Sequence, residues 1–237
     1  MIGEGAGMRT FLFFAALATT AAPVGAATRN FGITSFSKVQ VDGPYKVRLA
    51  TGVAPFASAT GSPGALDRIA IEVRGDTLVV HNSLDSWGGY PGQDVGPVEI
   101  SLGTHDLSAA WLNGSGALTI DKVRGLTFDL SVQGSGVGEI GQANIDQLHV
   151  SLVGTATARL AGQAAKLTAV IRGISSLEAT GLSTKDATLG ADGAATVAAN
   201  VSNSVAVDAT GPATVRLSGK PSCTLRVSGS ASVSGCH

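Results

Sequence analysis

A glycine followed by two small residues recurs at near-constant spacing through the second half of this chain, and that period constrains the fold more than any other feature. The glycines are Gly114, Gly134, Gly154, Gly173, Gly193, Gly211 and Gly229, spaced by 20, 20, 19, 20, 18 and 18 residues. The pairs that follow are Ser115-Gly116, Ser135-Gly136, Thr155-Ala156, Ile174-Ser175, Ala194-Ala195, Pro212-Ala213 and Ser230-Ala231. Their second member is never larger than Ser. A sharp corner stacked on copies of itself requires this, because a bulkier side chain would strike the layers on either side. Self-similarity at such a period is the mark of a solenoid.

The residues before each glycine alternate with period two. At two, four and six positions before it, from Leu112, Ala110 and Ser108 through to Val227, Leu225 and Cys223, twenty of twenty-one are apolar. The intervening positions hold five apolar residues of twenty-one. That is a strand with one face inward, repeated, and no helix produces it. A second strand follows each corner, with inward positions such as Leu118/Ile120, Ala158/Leu160 and Val215/Leu217; Gly138 breaks this pattern. Further turns near Gly141, Gly162, Gly181 and Gly219 leave room for a brief third strand. The expectation is an all-β parallel β-helix of about seven regular coils, roughly 34 Å long at about 4.8 Å per coil.

Residues 28–237 read as one domain, with 28–104 as N-terminal cap and irregular coils and 105–237 as the regular coils. Short strands are expected at 39–41, 46–49, 69–73, 78–80 and 98–102, with turns at Gly43-Pro44 and Gly75-Asp76. One long Gly/Pro-rich loop, Ser83 to Pro97, holds Trp87 and Tyr90.

Residues 1–27 read as a secretory signal: Arg9, an apolar run from Phe11 to Ala22, then Val24-Gly25-Ala26-Ala27 for cleavage, with Met8 as an alternative start. The run is too short to span a bilayer, which needs about 20 residues. The expected location is the periplasm or the exterior of a bacterium. The two cysteines, Cys223 and Cys236, read there as a disulfide closing the last turn, or alternatively as two buried thiols. Charged residues are 14% of the chain and the net charge is −1, so no basic face exists to bind nucleic acid. No later stretch is long and apolar enough for a membrane span.

Several segments resemble the head GIN domain family, which is labelled an auto-transporter adhesin and a domain of unknown function. They are the opening Phe36-Ser37-Lys38-Val39-Gln40-Val41-Asp42-Gly43-Pro44-Tyr45-Lys46-Val47, the run Ile71 to Val80, Leu112-Asn113-Gly114-Ser115-Gly116, and the close from Val215 to Pro221 with Val227 to Ala231. The resemblance covers about Phe36 to Val233. It implies a right-handed β-helix in an exported bacterial protein, and it brings no catalytic residues and no autotransporter barrel.

Chemistry is sparse. Gly136-Val137-Gly138-Glu139-Ile140-Gly141 spells a dinucleotide fingerprint, but that motif works only between a strand and a helix. His81, His105, His149 and His237 do not lie at metal-ligand spacing from one another, so neither a metal nor a cofactor is expected. Ser115 and Ser135 are corner residues rather than nucleophiles. The column three past each glycine is too mixed for a threonine array. Five past each glycine stand Thr119, Glu139, Arg159, Glu178, Ala198, Arg216 and Ser234, so Glu139, Arg159, Glu178 and Arg216 form an outward charge ladder. As a surface ladder it gives register and solubility. As the alternative, Glu139, Glu178 and Arg159 would serve a polysaccharide lyase or hydrolase, which needs convergent carboxylates. Trp87, Tyr90 and Trp111 are the candidate binding aromatics, with a small satellite core as the other reading of Trp111. The functional expectation is a non-catalytic, exported, adhesin-like protein. It would bind or scaffold an envelope glycan or a surface protein; the sequence leaves its oligomeric state open.

Overall fold

The computed structural model describes residues 26–83 and 96–237. The leader therefore lies outside the described residues except for Ala26 and Ala27, as do Trp87 and Tyr90 of the long loop. Of the described residues, strand accounts for 73% and helix for 2%, arranged as a β-solenoid of about six turns. This is the all-β β-helix expected from the repeats.

The first half supplies β1 (Ala27–Phe31), β2 (Lys38–Asp42), β3 (Lys46–Thr51), β4 (Phe56–Gly61), the one-turn helix α1 (Pro63–Leu66), β5 (Ile69–Arg74), β6 (Thr77–Asn82), β7 (Glu99–Thr104) and β8 (Ala109–Gly114). The strands do not stack in sequence order. β2 pairs with both β6 and β8, and β3 pairs with β7. The coil made by β2 and β3 is thus inserted between a later coil on one side and the regular stack on the other. At that outer end the pairing turns antiparallel: β4 lies against β7, β5 against β6, and β1 against β4. α1 closes this end, with Ser62 Oγ accepting from the Ala65 N–H at 3.2 Å and Ala65 and Leu66 buried. The sequence reading did not foresee β1, β4 or α1.

The regular stack follows as β9 (Ala117–Gly134), β10 (Val137–Gly154), β11 (Thr157–Gly173), β12 (Ser176–Asp192) and β13 (Thr196–Thr210), closing with β14 (Thr214–Ser218), β15 (Ser222–Ser228) and β16 (Ser232–Ser234). The two or three separate strands expected per coil are one strand wrapped around the bend, because parallel pairing continues through it. Each coil presents a post-corner face, a middle face and a pre-corner face. At the corners, Ser135 N donates to Gly114 O (2.9 Å) and Thr155 N to Gly134 O (2.8 Å), so each corner hydrogen-bonds to the one beneath. Gly43 extends the glycine column, lying under Gly114.

The axis is filled by aliphatic columns. Leu112, Val132, Leu152, Ile171, Ala191 and Ala209 stack in register and are buried. Gly138 breaks the inward pattern because Val132 and Leu130 already fill its space: a Cβ there would meet Val132 Cγ2 at 3.0 Å. The pattern fails once more, at the final coil. Leu225 and Val227 keep the inward phase but are 44% and 47% exposed, because β15 pairs only with β13. The Cys223–Cys236 disulfide is formed, with Cα atoms 5.7 Å apart. It ties the tail to β15 without covering this rung.

Candidate functional site

Because inward and outward positions alternate and coils stack in register, outward residues line up as columns parallel to the axis. On the post-corner face the register runs Thr119, Glu139, Arg159, Glu178, Ala198, Arg216, Ser234, and it continues in the other direction through Arg48 and Ser101. Arg159 Nε lies 3.6 Å from Glu178 Oε2, with both side chains more than half exposed. Ala198 separates this pair from Arg216, so Arg216 stands apart from the other charges. Glu139, Arg159, Glu178 and Thr180 border a shallow hollow of about 320 Å³.

Across the bend, on the middle face, runs a column the sequence reading missed: Arg124, Asn144, Gln163, Ser183, Asn200 and Ser218. Beside it, Asn144, Gln163, Ser183 and Asn200, with Asp146, Lys185 and Ser202, surround a hollow of about 420 Å³. The hollow has a backbone cause. Between β12 and β13 the register jumps from Ala179↔Ala199 to Ser183↔Asn200, since β13 has 15 residues against 17 in β12. Residues 180–182 of β12 therefore have no partner in β13 beside the hollow.

Thr184 lies at this step, in the inward column Ile145, Ala164, Thr184, Val201. It is 4% exposed and borders the hollow, and its Oγ1 has no hydrogen-bond partner among the described residues. Its carbonyl accepts from Ser202 Oγ at 3.2 Å. Nearby, Asp186 Oδ1 accepts from Ser204 Oγ (2.5 Å) and Asn203 Nδ2 (2.7 Å), which hold its carboxyl below the usual carboxylate range. Asn144, Gln163, Ser183 and Asn200 form a polar strip across β10 to β13. It offers amide and hydroxyl donors and acceptors at about 4.8 Å intervals.

Other candidates fall elsewhere. Trp111 is half-buried on the pre-corner face, between Gln40 and Ser131. His149 faces outward between Asp129 and Thr168. His81 is not a bare surface histidine, since its Nε2 lies 2.8 Å from Glu72 Oε1, which also accepts from Arg74 Nη2 at 2.5 Å. Those two contacts, His81 first, lower the Glu72 carboxyl below its ordinary value. The glycine fingerprint at 136–141 lies in a corner and strand β10, with no helix after it. A threonine array, read as absent, exists in part elsewhere: Thr168, Thr188, Ala206 and Thr224 stack on the pre-corner face. No group of three His, Cys, Asp or Glu side chains suited to a metal occurs among the described residues.

A family described as "Putative auto-transporter adhesin, head GIN domain" matches residues 35–221. Among solved structures, a putative adhesin from Bacteroides fragilis is similar with a TM-score of 0.76 at 16% identity, covering 87% of this chain and 94% of its own. A putative lipid binding protein from Parabacteroides distasonis gives 0.69 at 18%, covering 88% and 95%. A putative adhesin from Parabacteroides merdae gives 0.63 at 17%, also covering 88% and 95%. These likenesses show the shared fold. Comparison with curated protein sequences finds no match.

Proposed function

This chain belongs to the head GIN domain family, and from that premise we propose that it is an exported, non-catalytic envelope protein whose polar strip binds a hydroxyl-rich glycan. The observation that carries this reading is the in-register column Asn144, Gln163, Ser183 and Asn200 along a hollow of about 420 Å³. A saccharide chain presents hydroxyls that both donate and accept. Primary amides and hydroxyls match that chemistry without the desolvation cost of a naked charge. Lys185 and Asp146 at the rim add polarity without a single-sign field.

The arrangement favours binding over cleavage. Glycosidic hydrolysis commonly places two carboxylates on opposite sides of the scissile bond. Here Glu139 and Glu178 occupy one column with Arg159 between them, and Arg159 is paired to Glu178. The family label of an adhesin and the adhesin names of two structural neighbours agree with a surface-binding role.

The test is a glycan array with the purified protein, followed by titration of any hit against Gln163→Ala/Asn200→Ala. Loss of two ligand hydrogen bonds is expected to weaken binding at least about tenfold. Unchanged affinity in the double variant sinks the assignment to this strip. Release of reducing ends or unsaturated sugars, abolished by Glu139→Gln, would replace binding with catalysis. Export is tested separately by sequencing the N-terminus of protein recovered from the native envelope, where cleavage near Ala27 is expected.

A further inference from the structure

The two ends of the solenoid are closed differently. At the β1–β5 end, antiparallel strands and α1 cover the core, and three ion pairs form: Arg29 with Asp67, Arg74 with Glu72, Lys38 with Asp76. At the other end, β15 pairs only with β13 and β16 only with β14, so among the described residues both have an open outer edge. Leu225 and Val227, two residues apart on the core-facing side, are 44% and 47% exposed there.

Charge distinguishes this end further. No Asp or Glu follows Asp208, whereas Arg216, Lys220 and Arg226 are all exposed. Asp208 is the one acidic neighbour, one coil inward opposite Arg226. Lys220 holds positive φ (57°) in the turn joining β14 to β15, which fixes its place beside the edge.

We infer that the β15 edge takes up an extended acidic peptide strand, which completes the ladder and covers Leu225 and Val227. Strand addition supplies the backbone hydrogen bonds, and alternate apolar side chains of the incoming segment pack on the exposed rung. Acidic side chains in between would face the cationic flank. Charge argues against a second copy in this place: tail to tail it would set three cations against three. Head to tail it would meet an end that α1 and the antiparallel strands β1, β4 and β5 already cover. This inference is independent of the polar strip, which lies on the side of the rod.

The experiment uses the full disulfide-bonded chain and two synthetic ten-residue peptides, one alternating Val with Glu and one alternating Val with Lys. Amide exchange is followed by NMR or mass spectrometry. The acidic peptide is expected to protect amides in Ser222–Ser228 and to bind at least about tenfold more tightly than the basic one at low ionic strength, with the difference shrinking in salt. Leu225→Asp/Val227→Asp, both at exposed positions, should abolish protection while leaving the amides of β10–β12 unchanged. Lys220→Glu/Arg226→Glu should reverse the peptide preference. Equal binding of both peptides, absence of protection, or concentration-dependent dimerisation that protects the same amides would each overturn the inference.

Discussion

Gly154 sits directly over Gly134: a Cβ on Gly154 would lie 2.6 Å from the Gly134 carbonyl oxygen. Its φ is also +101°, where an L side chain is strained. The carbonyl cannot move aside freely, since it accepts from Thr155 N at 2.8 Å. Gly154→Ala is therefore expected to cost about 1–3 kcal/mol. Gly32→Ala, where a Cβ meets nothing within 4 Å, should lie within about 0.5 kcal/mol of the parent. Denaturant melts of the two variants check this, and equal midpoints would refute the corner argument.

The corner column was legible because its cause is local and repeated: each coil needs a positive-φ residue and a small one two positions after it. Gly43 reads in the sequence as a turn but not as a member of the column, because Tyr45 stands where later corners have Gly, Ala or Ser, and its ring folds back against Gly43. The insertion of β2 and β3 between other coils has no local signature, since pairing partners lie more than thirty residues away. The amide column was hidden by unequal coils. Asn144, Gln163, Ser183 and Asn200 fall ten, nine, ten and seven residues past their corner glycines, so no fixed offset finds them. Leu225 and Val227 teach a different point: period two gives the inward phase, but burial requires a further layer.

Thr184 carries a hydroxyl that is buried without a hydrogen-bond partner. Thr184→Val keeps the shape and removes that oxygen, so it is expected to stabilise the fold by about 1 kcal/mol. Because that hydroxyl faces the interior, the same change should leave glycan binding at the hollow unchanged. Thermal unfolding and titration of one preparation test both halves, and a destabilised variant would show that the hydroxyl is satisfied in solution.

The disulfide closes a 13-residue separation at the end of a stack whose coils touch only their neighbours. Its loss should act locally. Cys223→Ser/Cys236→Ser is expected to weaken the terminal coil by about 3 kcal/mol, speeding amide exchange in Ser222–Ser234 while β10 to β12 keep their protection. Uniform loss of protection along the rod would mean that the end is coupled to the whole, contrary to nearest-neighbour stacking.

Three carboxyls have folded values held below their ordinary ones: Glu72 by His81 and Arg74, Asp76 chiefly by Lys38, and Asp186 by Ser204 and Asn203. A group with a depressed folded pKa contributes stability that is fully present above its unfolded value and is lost as pH falls through its folded one. The protein should therefore hold its unfolding midpoint down to the ordinary carboxylate range, about pH 4, and lose stability below it. Glu72 and Asp76 lie in β5 and in the turn before β6, whereas Asp186 lies in β12. Acid should accordingly loosen both the antiparallel end and the centre of the stack. Glu72→Gln/Asp76→Asn should flatten the acid limb for amides of β5 and β6 alone, leaving that of β12 and β13 intact. Amide exchange measured from pH 5 down to 2 decides the matter, and an acid limb unchanged in β5 and β6 would remove these contacts from the stability of the fold.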